Sequence, residues 1–348
     1  MANEKKTVRE PSFILALIPI VAMIGFMLYC FRGHSETGYH DAHLPLVMSI
    51  IVACIVGFIC GHSFQEMLAG MVERLAASME AVLILATVGF LVTSFMLSGA
   101  IPTMIVYGLD LLTPKLFLPV GCILCAIVGM ACGSSWTTTA TIGLAFLGIG
   151  AGLGIPAPIT AGMIISGAYV GDKFSPLSDT TNLAAAVAET GLFDHVTAMV
   201  STTGPTLLLS LILYTILGLN VDTSAYDATV AEGIQEAFRG AFTISPILLL
   251  PIIVVIVMCI LRVPGLVGIA ISVATAVVFM LIFQSTDIFY SYSLGDIFDV
   301  LHYGHAVETG NAVADSILGK AKGMDGMMWT INLILVALAY GGALERCG

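Results

Sequence analysis

The stretch SGAYVGDKFSPLSDTTNLAAAV, residues 166–187, decides how this chain folds. It follows the apolar run 159–166 and closes into the apolar run 183–187, yet Asp172, Lys173 and Asp179 fall within eight residues of one another. Facing lipid at a bilayer centre, each charge would cost roughly 2.5–3.5 kcal/mol, so all three must face the interior, water or one another. Pro176 lacks an N–H and clashes with the preceding turn, and Gly167 and Gly171 admit unusual backbone angles. A helix is therefore expected to break here at membrane depth, with Gly167, Gly171 and Pro176 as the breaking residues. Such breaks expose carbonyl and N–H groups that coordinate ions.

The rest of the chain makes a bilayer its setting. Of 348 residues, 58% are hydrophobic and 10% are charged, against roughly 25% charged in soluble domains. The mean hydropathy is +1.02. So little charge cannot coat a water-facing surface, which excludes a soluble enzyme and a disordered chain. The net charge of −11 argues against nucleic acid as a partner. Most of the eight cysteines lie in apolar runs, where free cysteine packs as a small hydrophobe. Cys122-x-x-Cys125 has redox or zinc spacing but no polar neighbours, so packing is the better account. No cofactor is expected.

Apolar windows of around 20 residues mark transmembrane helices. They fall at about 13–31, 44–60, 81–98, 116–132, 196–219, 244–261, 263–283 and 328–344, with further apolar pieces broken by Gly, Pro and polar residues between 142 and 187. The expectation is an all-α polytopic membrane protein of about ten spans or part-spans. Lys5, Lys6 and Arg9 precede the first span, which places the N-terminus in the cytoplasm. The stretches 32–43, 220–239 and 284–325 are compatible with water. His34, His40 and His43 in the first are read as water-facing. Asp299, His302, His305 and Glu308 in the last recur every third residue. That spacing drifts around a helix, so solvated positions fit better than a metal site.

A second polar stretch is GSSWTTTAT, 133–141, where six of the eight residues from 134 to 141 carry hydroxyls. Ser and Thr also serve as packing residues between membrane helices. Six together after a glycine point instead to an unwound stretch lining a polar cavity. In the first stretch, a structural ion pair with Lys173 would account for one aspartate. It leaves the other carboxylate with Ser175, Ser178, Thr180, Thr181 and Asn182, hard-oxygen groups that suit a hard cation. Lys173 is then a residue that tunes the aspartates.

GSSWTTTATIG at 133–143 together with SGAYVGDKFSPLSDTTNLAAAV at 166–187 resembles the NhaC family of sodium/proton antiporters, which also includes sodium-coupled malate/lactate exchangers. The resemblance implies an inverted-repeat secondary transporter with discontinuous helices. By position in the motifs it implies ion-binding roles for Asp172, Ser175, Asp179, Thr180 and Asn182, and for Ser135, Thr137 and Thr138. Na+ would be held at Asp172 and Asp179, and a proton would compete with it there. The implied protein lies in the cytoplasmic (inner) membrane and exchanges Na+ for H+. Li+, a small organic anion and a second copy of the chain are open as further partners.

The family's members are longer, with a second polar helix break in the C-terminal half. Sliding 61–99 onto 310–348 pairs Gly61 with Gly310, Gly70 with Gly319, Met79 with Met328 and Gly99 with Gly348. The expectation is therefore a single transporter domain over 1–348, cut at its C-terminus. Its first repeat spans roughly 44–190 and its second begins near 244. The first competing function is sodium-coupled exchange of malate or lactate. An intramembrane aspartyl protease would want Gly-x-Gly-Asp, but Tyr169 stands two before Gly171, so no enzyme is expected. A passive channel would want rings of like charge, which a cluster containing a lysine does not supply.

Overall fold

The computed structural model describes residues 9, 11–33, 41–175, 178, 180–181, 184–185, 188, 190–220, 228–261, 263–284 and 294–347. Among these the chain is helical, with no strand. Five helices are long and apolar enough to cross a membrane: Phe13–Arg32, His43–Cys60, Leu192–Leu219, Gly265–Phe283 and Asp325–Cys347. The number rises to seven if two bent pairs, Phe64–Ala77 with Val82–Leu97 and Thr229–Ala241 with Pro246–Met258, each count as one span. Against the expectation of about ten spans or part-spans, Ala100–Leu111 and Pro114–Met130 add two shorter apolar helices among the described residues. The eight windows read from the sequence nonetheless each coincide with helix.

The chain divides into two compact units, Met1–Ala86 with Met327–Gly348, and Thr87–Gly326. The first contains α1 (Phe13–Gly33), α2 (His43–Cys60), α3 (Phe64–Ala77) and the 327–347 part of the last helix, Asp325–Cys347. The α3 N-terminus is fixed by a reciprocal capping box, in which the Ser63 hydroxyl accepts from the Glu66 N–H and the Glu66 carboxylate accepts from the Ser63 N–H, satisfying two donors left over at a helix start. Leu46, Ala53, Met67, Met71, Ala343 and Cys347 form the buried core of this unit. Gly70 and Gly342 let α3 and the last helix meet backbone to backbone, since a Cβ on Gly70 would lie 2.8 Å from the Gly342 carbonyl. Two ion pairs flank the contact, Arg74–Glu345 at 2.6 Å and Arg346–Glu73 at 3.0 Å. His43 is not simply solvated: its ring bonds Asp41 and lies 3.2 Å from the Trp329 carbonyl. His34 and His40 lie outside the described residues.

After α4 (Met79–Leu97) and α5 (Ala100–Leu111), the second unit is built on α6 (Pro114–Cys132) and α9 (Ala157–Phe174). They run parallel and almost in backbone contact. A Cβ on Gly167 would collide with the Cys122 carbonyl, and one on Gly171 with the Ala126 carbonyl. Four residues further along one helix thus match four residues along the other. From the opposite side, a Cβ on Gly129 would lie 2.7 Å from the Ala168 carbonyl. Gly167-x-x-x-Gly171 is the small-xxx-small spacing that permits this approach.

Here the expected helix break is corrected. Helix α9 passes through Gly167 and Gly171 without interruption and ends at Phe174. The two glycines are contact residues. The interruption follows at Ser175, with φ −84° and ψ 124°, the extended geometry favoured by a residue ahead of proline. Pro176 itself lies outside the described residues.

Between α6 and α9 the chain makes a helical hairpin. Gly133 adopts the left-handed φ of 63°, which only glycine takes at little cost. Ser134 is extended, and the helix then restarts as α7 (Ser135–Thr138), a π-helical turn (Thr139–Gly143) and α8 (Leu144–Gly152). The hydroxyl-rich stretch is therefore helical from Ser135 onward, contrary to the unwound form expected. The hydroxyls of Thr138, Thr139 and Thr141 donate back to carbonyls one turn earlier and so stay compatible with a helix. Helix α10 (Leu192–Leu219) packs against α6 and α9, and Tyr214 meets the Ser166 hydroxyl at 2.9 Å.

Candidate ion site

Parallel packing of α6 and α9 places their C-terminal ends side by side, and each end opens into one of the two polar stretches. Helix C-termini leave carbonyls without intrahelical partners and carry the negative end of the helix dipole. Asp172, in the last turn of α9, adds a carboxylate and is 7% exposed. Its Oδ2 accepts a hydrogen bond of 3.0 Å from the Ser135 hydroxyl. Its Oδ1 is buried and has no hydrogen-bond partner among the described residues. A buried ionised carboxylate without a counter-charge is severely penalised. An open, buried carboxylate oxygen of this kind has the chemistry to take up a proton or a metal cation.

Backbone and hydroxyl groups after α9 close around the same helix end. The Ser175 N–H donates to the Asp172 carbonyl at 3.0 Å, and the Ser175 side chain is fully buried. The Thr181 hydroxyl donates toward the carbonyls of Asp172 at 3.3 Å and Lys173 at 3.4 Å. The Thr181 N–H donates to Ser178 Oγ at 3.3 Å, and that oxygen also meets Thr180 Oγ1 at 3.0 Å. Thr180 is exposed while Ser178 and Thr181 are buried.

Of the residues proposed from the sequence, the structure thus brings Ser135, Asp172 and Ser175 together. Thr137 and Thr138 are buried nearby in the chain, but their hydroxyls donate to Ser134, at 3.1 Å to its side chain and 2.9 Å to its carbonyl. Lys173 is exposed and forms no ion pair among the described residues. Asp179 and Asn182 lie outside the described residues.

Ser178 and Thr181, expected from the sequence among the hard-oxygen groups suited to a cation, have hydroxyl oxygens engaged within the chain. The Thr181 hydroxyl acts on the backbone at the end of α9, a contact that charge-first reasoning ranks low. The G-x-x-x-G spacing of 167 and 171 was legible and was read as flexibility instead of contact.

The other candidates keep their ordinary accounts. Cys122 and Cys125 are free and buried in the core. The helix Leu294–Tyr303 carries Asp299 and His302, and Gly304 then turns the chain with φ 82°. Among the described residues no group of three metal-binding side chains forms.

Comparison with known proteins places these features in context. The Na+/H+ antiporter family matches residues 167–348. The chain is 36% identical over 343 residues to an arginine/ornithine antiporter of Halobacterium salinarum, covering 98% of this chain and 68% of that protein. It is 33% identical over 308 residues to the Na(+)/H(+) antiporter NhaC of Alkalihalophilus pseudofirmus, covering 88% and 65% respectively. It is 32% identical over 343 residues to a malate-2H(+)/Na(+)-lactate antiporter of Bacillus subtilis, covering 99% and 71%. The chain thus spans about two thirds of the length of these relatives. No solved structure matches it.

Proposed function

The chain belongs to the Na+/H+ antiporter family, whose matched members are transporters and not enzymes, and from that premise we propose that it exchanges Na+ for H+ by competition at Asp172. The observation that carries the proposal is the buried, unpartnered Oδ1 of Asp172 beside two helix C-termini. One positive charge is needed there and either ion can provide it. Sodium arriving displaces the proton, and a returning proton displaces sodium. Exposing the occupied site alternately to the two sides then couples the two gradients.

In this proposal Ser135, Ser175 and Thr181 shape the site. Asp179, Thr180 and Asn182 are the further ion-binding candidates from the motif, with Thr137 and Thr138 supporting the restarted helix and Lys173 tuning the charge. Membership of the family supports a cytoplasmic-membrane location, and Lys5, Lys6 and Arg9 ahead of the first span support a cytoplasmic N-terminus. Repeats at roughly 44–190 and from about 244 remain part of the same proposal.

The test is cation-driven proton movement in everted vesicles. Asp172→Asn is expected to abolish sodium-dependent proton movement while the protein still inserts, and Asp179→Asn to do the same. Wild-type rates in Asp172→Asn would remove that residue from the mechanism. The arginine/ornithine and malate/lactate relatives support a second reading, in which an organic ion is one of the exchanged species. Counterflow driven by lactate, malate, arginine or ornithine in the same vesicles separates it from plain cation exchange.

A further inference from the structure

We infer that Ser135 is a positioning residue for Asp172: its hydroxyl engages one carboxylate oxygen and so leaves Oδ1 as the single open acceptor for the exchanged ion. The inference rests on the proposal that Asp172 is the exchange site. It goes beyond it by separating two roles within the hydroxyl-rich stretch, which the sequence presents as six equivalent groups.

The geometry sorts those groups. Thr138 donates to the Ser134 carbonyl at 2.9 Å, Thr139 to the Ser135 carbonyl at 2.8 Å and Thr141 to the Thr137 carbonyl at 2.7 Å. Thr137 donates to Ser134 Oγ at 3.1 Å, and Ser134 Oγ in turn caps the restarted helix by accepting from the Thr137 N–H at 3.2 Å. All five thus serve the helix that carries them. Ser135 alone among them reaches across 37 residues of sequence to a side chain on another helix.

The backbone before Ser135 is what permits this reach. Left-handed Gly133 and extended Ser134, at φ −149° and ψ 113°, interrupt α6 and reset the helical phase. Ser135 becomes the first residue of the restarted helix and is 3% exposed. A hydroxyl carries one proton. With that proton donated in a hydrogen bond to Oδ2, the carboxyl group cannot swing freely, and Oδ1 keeps one orientation.

Removing the hydroxyl should weaken ion capture more than turnover. A hydrogen bond to a charged group supports about a tenfold or larger change in affinity. In everted vesicles, Ser135→Ala is expected to raise the apparent KM for Na+ about tenfold while the maximal rate stays within about twofold. Ser135→Thr keeps the hydroxyl and should stay near wild type. Ser135→Val, of the same shape as threonine without the hydroxyl, should behave like alanine. Equal behaviour of the threonine and valine variants overturns the inference. So does a valine variant that fails to insert while the threonine variant inserts, since the hydroxyl then serves folding. Asp172→Asn run in parallel separates the two levels. If it exchanges normally, the site assignment itself fails; if it is inactive while all three Ser135 variants match wild type, only the positioning role fails.

Discussion

At the scale of single residues, the two oxygens of Asp172 show why burial and partner have to be considered atom by atom. One accepts from Ser135 and the other has no partner among the described residues, so the same side chain is both anchored and available. Gly171 shows the complementary case, a residue whose value is having no side chain. Gly171→Leu would drive its side chain into the Ala126 carbonyl and part α6 from α9. Overpacking of this kind costs about 1–3 kcal/mol or more. The expected result is a lowered thermal midpoint in detergent together with lost exchange, because Ser135 and Asp172 depend on that helix contact. Asp41 supplies a pH-dependent contact outside the spans. The His43 ring and the His43 N–H, the latter at 2.9 Å, hold its carboxyl below the usual range. A carboxylate whose pKa is lowered on folding stabilises the fold above its ordinary range and loses that contribution as pH falls through the lowered value. Thermal midpoints measured from pH 6 down to pH 3 should therefore fall, and Asp41→Asn should flatten that part of the slope.

At the scale of elements, the polar residues that join helix ends matter as much as those in the ion site. Gln284, directly after the helix Gly265–Phe283, donates to the Ser98 carbonyl at 2.8 Å and accepts from the Thr243 N–H at 3.1 Å. Thr243 in turn donates to the Phe283 carbonyl at 2.8 Å. One amide thereby ties together the end of Met79–Leu97, the bend between Thr229–Ala241 and Pro246–Met258, and its own helix terminus. Gln284→Leu leaves a carbonyl and an N–H without that partner at about 1–3 kcal/mol each. Its thermal midpoint should drop, whereas Gln284→Glu, which keeps the acceptor, should drop less. The importance of Gln284 was not legible in the sequence. It stood at the edge of a water-compatible stretch, and only the meeting of three helix ends buries it. The G-x-x-x-G contact was legible in spacing, but its partner on α6 was not.

At the scale of the whole molecule, the apolar surface is matched to lipid. The helix Leu192–Leu219 has no buried share in its apolar window, and Leu208 near its middle is 61% exposed. Leu208→Arg should reduce membrane insertion, at a cost of roughly 2.5–3.5 kcal/mol for a charge at the helix centre. The inserted fraction after carbonate extraction measures this. The positions of the spans were open to sequence reasoning because the bilayer imposes a one-dimensional rule, that about twenty apolar residues in a row must form a helix.

The sequence alone determined that this chain is a helical membrane protein, since hydropathy is a property of local composition. It also located the two polar stretches. Only the tertiary structure decided that α6 and α9 run parallel, that Gly167 and Gly171 are points of contact and not of breakage, and that Ser135 and Asp172 meet. The physical reason is that backbone approach and hydrogen-bond direction depend on which helices become neighbours, and residues 37 apart in sequence carry no local signal of their meeting.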